Sequence, residues 1–260
     1  MTGAAVRAYE RSHGLLSRAM ALVSGVHDGA WLGLAPPGVL DGIDDAYYRR
    51  QPEFLDEAYN RRGLWDWERA ALERHFAPGG RIAVTGAGGG REVLALARMG
   101  FRPEGFEPNA ALAGFANGLL AQEGVDLCVS LAERDAWPDP SGRYDGVIVG
   151  WGSYMLMDGA ATRINFLRQA RSSVDPGAPV LLSFFARRGT VAYFRVAARV
   201  GTPLRRLRGR PPVEPGDALR PNYVHFFTEQ EIARELDAAG FDLLLYAEEP
   251  YGHAVGVARA

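Results

Sequence analysis

The apolar positions of this 260-residue chain change their spacing near residue 80. Before it they recur at helical intervals. Residues 5–24 carry Val6, Tyr9, Leu15, Leu16, Met20 and Leu22 in one helical stretch. A Gly/Pro-rich loop at 31–43 leads to a second stretch, about 44–60, with Tyr47, Tyr48, Phe54 and Tyr59. A third, about 64–77, carries Leu64, Trp67, Ala71, Leu72 and Phe76 and stops at Pro78-Gly79-Gly80. From Arg81, short apolar runs alternate with helical ones. Strands are predicted at 81–85, 102–107, about 126–131, 144–149 and 179–185. The helices between them fall at about 90–99, after a cap at Asn109, and at about 160–174. This alternation belongs to a parallel sheet covered on both faces. It breaks off at 187–222, a segment with nine arginines that reads as a lid-like insertion. Thr228 and Glu231 form a capping-box pair opening a last helix, which Gly240 ends. Two strands close the chain, about 241–246 and 253–259. Pro250-Tyr251-Gly252 between them is too short for a parallel crossover, so this pair is expected to be antiparallel. The expectation is an α/β sheet of seven mostly parallel strands at 78–260, preceded by a helical cap at 1–77.

Composition narrows the class. Apolar residues make up 47% and charged residues 23%, ordinary for a folded domain, and the net charge of −2 supplies no field for nucleic acid or a membrane surface. No lysine is present, which removes Schiff-base chemistry. Cys128 is the single cysteine, so neither an intrachain disulfide nor a cysteine metal cluster is available. His13, His27 and His75 lack metal-ligand spacing, and no metal is expected. No apolar run has spanning length, and Met1 to Met20 carries scattered arginines rather than a signal core. A cytoplasmic location is the expectation.

The chemistry concentrates where β-type and helical spacing meet. Val84-Thr85-Gly86-Ala87-Gly88-Gly89-Gly90-Arg91-Glu92 is a strand feeding a glycine turn and then a helix. Such a turn brings nearly bare backbone up to a ligand. A dinucleotide fingerprint would need a third glycine at 91, and Arg91 stands there. Glu107 follows Gly86 by twenty-one residues, at the end of the second strand. A carboxylate there can accept both hydroxyl protons of a ribose, so the site reads as built for a nucleoside.

Taken in order, these motifs resemble the class I S-adenosylmethionine-dependent methyltransferases over about 78–260, including the stretch from His225-Phe226-Phe227-Thr228 to Ala239-Gly240-Phe241. The resemblance implies a Rossmann-like sheet with an antiparallel last strand. It also implies S-adenosylmethionine as cofactor, S-adenosylhomocysteine as product, and methyl transfer to an O, N or C nucleophile of a small molecule, aromatic or anionic, with no nucleic acid or membrane partner. By resemblance, Gly86, Ala87 and Gly88 underlie the methionine part and ribose. Val84 departs from the acid many members carry there, and Thr85 offers only a hydroxyl. Glu107 takes the ribose, with Pro108 fixing the turn. Asp135 takes the adenine amine and the Ala136 amide the ring, with Glu133 competing for the acid's role. Gly150 and Trp151 form a wall, the indole facing the sulfonium. The N-terminal helices with Tyr47, Tyr48, Tyr59, Trp65 and Trp67 cover the cofactor and form part of the acceptor pocket, the tyrosines lining it, and the arginine-rich insertion completes a lid. Tyr154 and His225 are the candidate bases. Plain structural readings stand beside these: Trp151 as core, Asp135 as a loop acid, His225 as a packing histidine. Two other functions stand as well: a cofactor-binding homologue that transfers no methyl group, and a nicotinamide or flavin oxidoreductase, which Arg91 and the terminal hairpin disfavour.

Overall fold

A computed structural model describes residues 2–36, 38–138, 142–188 and 192–260, the side chain of Thr2 excepted. The chain divides into two compact units, residues 1–43 with 187–224 and residues 44–186 with 225–260.

The second unit holds the sheet. β1 (Arg81–Thr85), β2 (Arg102–Glu107), β3 (Val129–Leu131), β4 (Gly146–Val149) and β5 (Pro179–Ala186) run parallel in the order β3-β2-β1-β4-β5. The apolar runs of β1, β4 and β5 are largely buried on both faces, as a covered parallel sheet requires, while the edge strand β3 leaves Leu131 exposed. β8 (Phe241–Ala247) and β9 (Gly252–Ala258) form the terminal hairpin, and β9 lies antiparallel against β5 from Pro179↔Val257 to Phe184↔Gly252. These seven strands are the expected sheet. β6 (Asp217–Leu219) and β7 (Tyr223–Phe227) are additions, and the end of β7 pairs parallel with the end of β5, Phe185↔Phe226 and Ala186↔Phe227. Sequence reading placed this run outside any strand, although its consecutive apolar residues suit a buried one.

Local chemistry sets the helices. Asn109 caps α6 (Ala110–Gln122), its side-chain oxygen accepting from Ala111 N at 3.0 Å and Leu112 N at 3.2 Å. Thr228 and Glu231 close the capping box of α9 (Glu229–Ala239), and Gly240 ends it in the left-handed region at φ +89°. Ile82, Val84, Ile148 and Leu181 from the strands meet Val93, Leu94 and Leu96 of α5 (Arg91–Arg98), Leu119 and Leu120 of α6, and Leu72 of α4 (Asp66–His75) in one core.

The first unit is built on two helices. α1 (Thr2–Leu34) runs well past the predicted 5–24, α2 (Val39–Arg50) begins inside the stretch expected as a loop at 31–43, and α8 (Ala192–Arg206) lies in the segment read as an insertion. Gly25, Gly29 and Gly33 form one stripe against α8. A Cβ on Gly29 would sit 2.5 Å from the Ala197 carbonyl oxygen, and one on Gly33 2.6 Å from Leu204 Cβ. Beside the stripe Asp28 is buried and accepts from the Tyr193 hydroxyl, from Leu219 N at 3.3 Å and from Arg220 at 3.5 Å. Leu32, Leu40, Val213 and Tyr223 fill this unit's own core. Among the described residues, no helix is long and apolar enough to cross a membrane.

Candidate active site

β1 delivers Thr85 into the glycine turn at the carboxyl edge of the sheet, where open α/β folds bind ligands. The turn is held by close backbone approach. A Cβ on Gly86 would lie 2.1 Å from Ser153 Oγ, and one on Gly150 2.3 Å from the Gly86 carbonyl oxygen. Gly88 differs: its φ is +54°, and a Cβ there would meet nothing within 4 Å. Backbone is bare and open at that point. Over Gly89 lies the segment from Pro52 to Arg61, a 3-10 turn and then α3 (Glu57–Arg61). A Cβ on Gly89 would fall 2.5 Å from Phe54 O and 2.7 Å from Asn60 Oδ1.

Glu107 ends β2 beside this opening with only 5% of its surface exposed. Its Oε2 accepts from Gly88 N at 2.8 Å and its Oε1 from Asn109 N at 2.8 Å. Each oxygen therefore has one backbone N–H fixing it and lone-pair capacity to spare, the geometry that receives a pair of vicinal hydroxyls. Burial raises the carboxyl above the ordinary range, and the two N–H bonds only partly offset this. Buried Tyr48 feels the field of Asp44 and Glu107, and its phenol is pushed well up by burial first and then by those carboxylates. Arg134 binds Asp44 and Asp45, each at 2.7 Å, tying the loop after β3 to the chain just before Tyr48. Next to it, Asp135 holds φ +56°, the one positive value among described non-glycine residues. Strain of this kind costs about 1–3 kcal/mol and clusters at active sites and ligand clamps, although Asp tolerates it better than most residues. Asp135 and Ala136 are half-buried, whereas Glu133 is exposed.

Thr85 is 6% exposed, and its buried hydroxyl has no hydrogen-bond partner. A polar atom orphaned at the head of the turn fits a site whose missing partner is the ligand.

Arg91, standing where a third glycine would be, is a buried strut. Its guanidinium spans both oxygens of Glu68 at 2.7 Å, reaches Gly63 O at 3.0 Å and pairs with Glu92 at 2.7 Å. Burial opposes its charge, but Glu92 and Glu68 outweigh that and raise its pKa. Glu92 in turn accepts from Trp151 N at 3.0 Å. The indole after β4 is thus fixed through α5 to the start of α4, where Glu68 also accepts from Trp65 N at 2.7 Å.

The Trp151 ring lies 5.2 Å from Tyr251 and 6.3 Å from Trp65, and Phe185 is 5.7 Å from Tyr251. The Tyr251 hydroxyl and Trp65 Nε1 are buried without partners. Burial, then Tyr59 and Glu68, raise the Tyr251 pKa, so the phenol stays protonated and is a donor. Sequence reading took Tyr251 only as a turn residue. The usable signal was the antiparallel last strand, which returns this turn to the carboxyl end of β5, Phe184 opposite Gly252.

The two candidate bases lie elsewhere. Tyr154 is 0% exposed; its hydroxyl donates to Glu235 Oε2 at 2.5 Å, Arg163 binds the same carboxylate, and the ring stacks on Phe227 at 5.3 Å. Burial and Glu235 drive its pKa well up. It is a structural tie between the turn after β4 and α9, not an accessible base. His225 is 1% exposed inside β7, edge-on to Phe227 at 4.5 Å, because the aromatic run around it extends as a strand rather than a loop.

No family model matches the chain, and no curated protein does. Solved structures do. The CcbJ methyltransferase from Streptomyces caelestis is 16% identical with a TM-score of 0.59, over 83% of this chain and 96% of that one. The 1,6-didemethyltoxoflavin-N1-methyltransferase of Burkholderia thailandensis, solved with 1,6-didemethyltoxoflavin and S-adenosylhomocysteine, is 17% identical with a TM-score of 0.59, over 87% and 92%. The [4+2]-cyclase SpnF is 14% identical with a TM-score of 0.57, over 75% and 81%. The fold is that of the class I S-adenosylmethionine-dependent methyltransferases.

Proposed function

We propose that this protein binds S-adenosylmethionine and transfers its methyl group to a nucleophilic atom of a small, planar aromatic acceptor. The observation that carries the reading is Glu107, buried beside the open backbone at Gly88 with one N–H on each oxygen. Glu107 takes the ribose hydroxyls, Asp135 and Ala136 the adenine, and the Thr85 hydroxyl, Gly86, Ala87 and Gly88 the methionine end. Gly150 keeps the floor low, and Pro108 directs the chain into α6. When bound, the cofactor supplies an electrophilic methyl on a sulfonium. What the chain adds is alignment and exclusion of water. Trp151 presents an aromatic face to the cation, worth about 0.5–2 kcal/mol. Trp65, Trp151 and Phe185 form a wall suited to a flat acceptor, and Tyr251 donates a hydrogen bond that orients it. Neither Tyr154 nor His225 is assigned a proton-transfer role, which favours an acceptor already nucleophilic at neutral pH.

Calorimetric titration with S-adenosylmethionine and S-adenosylhomocysteine tests the binding step; absence of saturable heat for both ends the proposal. Isotopically labelled methyl offered with a panel of aromatic amines and nitrogen heterocycles tests transfer, and label that never leaves the cofactor for any of them counts against it. The second reading, binding without methyl transfer, is favoured by the sealed state of Tyr154 and by the likeness to a cyclase. It forecasts tight cofactor binding with no label leaving the cofactor.

A further inference from the structure

Much of α1 is unclaimed by the rest of the chain. Its residues 3–13 and 15–20 are exposed apart from their helical neighbours, and close packing on α8 begins at Gly25. Val6 is 53% exposed, Tyr9 67%, Leu16 59%, Met20 61% and Val23 71%. At 100° per residue these fall on one side of the helix, with Arg7, Arg11 and Arg18 on the other. A solvated helix of about twenty residues is marginal in water even for alanine-rich sequences. This one carries Gly3, Gly14 and three serines up to residue 24. The apolar stripe also exceeds the scattered apolar residues that a monomer normally leaves bare.

The spacing points to what covers it. Val6, Tyr9, His13, Leu16, Met20 and Val23 follow one another at alternating steps of three and four, the seam of a coiled coil. That seam is its own complement. In an antiparallel pair centred between Gly14 and Leu15, position 6 meets 23, 9 meets 20 and 13 meets 16, each twice by symmetry. Leu15, Leu22 and Val26, all at least 46% exposed, lie more than 100° round the helix from the seam and outside this contact. The three arginines stay outside, so no like charges are forced together. The seam is about 26 Å long at 1.5 Å per residue. Six side chains over that length make a narrow two-helix contact, toward the lower end, about 600 Å² per partner, of what stable complexes bury.

We infer that the protein is a homodimer joined through α1 packed antiparallel on α1 of a second copy. The inference does not rest on the cofactor reading. Sedimentation equilibrium at micromolar concentration is expected to give twice the chain mass. Tyr9→Lys and Met20→Glu are each expected to weaken the dimer by about tenfold or more. The double variant Tyr9→Lys/Met20→Glu is expected to recover most of that loss, because the register sets 9 against 20; a misfolded single variant would not be rescued in this way. A monomeric wild type, or a double variant no tighter than the singles, overturns the proposal. So does co-sedimentation of monomers with phosphatidylcholine–phosphatidylglycerol vesicles in place of self-association.

Discussion

In the proposed function, Glu107 is the residue on which nucleoside recognition turns. Replacing it by Ala removes two hydrogen bonds to a charged acceptor, worth about 1.5–3 kcal/mol each, so cofactor affinity is expected to fall roughly a hundredfold or more by calorimetry. Acceptance from ribose requires the ionised carboxylate. Affinity is therefore full above its folded pKa and falls as pH drops through it. Because burial raises that pKa, the fall is expected to begin at higher pH than for an ordinary Glu near 4.3. In the ligand-free protein the sign reverses: a raised carboxyl contributes stability below its unfolded pKa and loses it as pH rises through the folded one. Two glycines separate binding from folding. Gly88→Ala has room for its methyl group but keeps φ +54° at a cost of about 1–2 kcal/mol and projects into the opening, so it should lose cofactor while remaining folded. Gly150→Ala drives a Cβ to within 2.3 Å of backbone and should instead cost about 1–3 kcal/mol of stability in urea unfolding.

Among elements, the tie from α4 through α5 to the turn after β4 depends on Arg91. Arg91→Met leaves Glu68 and Glu92 buried without their cation, a loss of about 3–5 kcal/mol, expected as a fall in Tm of roughly 10 °C. In the first unit, Gly29→Leu cannot fit where even a Cβ would lie 2.5 Å from Ala197 O. Amide exchange in α8 should accelerate in that variant. Legibility followed the same physics. β1 and β2 match their predicted bounds because alternating apolar runs ended at glycine and a capped asparagine leave little freedom. The α1–α8 pair escaped because its interface is written in glycines, and periodicity is read from large side chains. Arg91 was read only as a missing glycine, since its two carboxylate partners come from different helices.

For the whole molecule, the mostly parallel sheet and the terminal hairpin were accessible from alternation and turn length, and the glycine turn with Glu107 from spacing alone, whereas the strand order was not. Tyr251 and the unpartnered hydroxyl of Thr85 were not, because both depend on which edges the folded sheet brings together. The same dependence explains Tyr154: next to the turn after β4 in sequence, it is turned away into the contact with α9.

Trp151 has a practical consequence. Its amide is anchored and its ring sits among other aromatics at the mouth of the glycine turn, so the colour and intensity of its emission depend on what occupies that space. The molecule carries a built-in optical gauge, and binding of the proposed cofactor should be measurable by titration in a cuvette, without dyes, isotopes or a known acceptor.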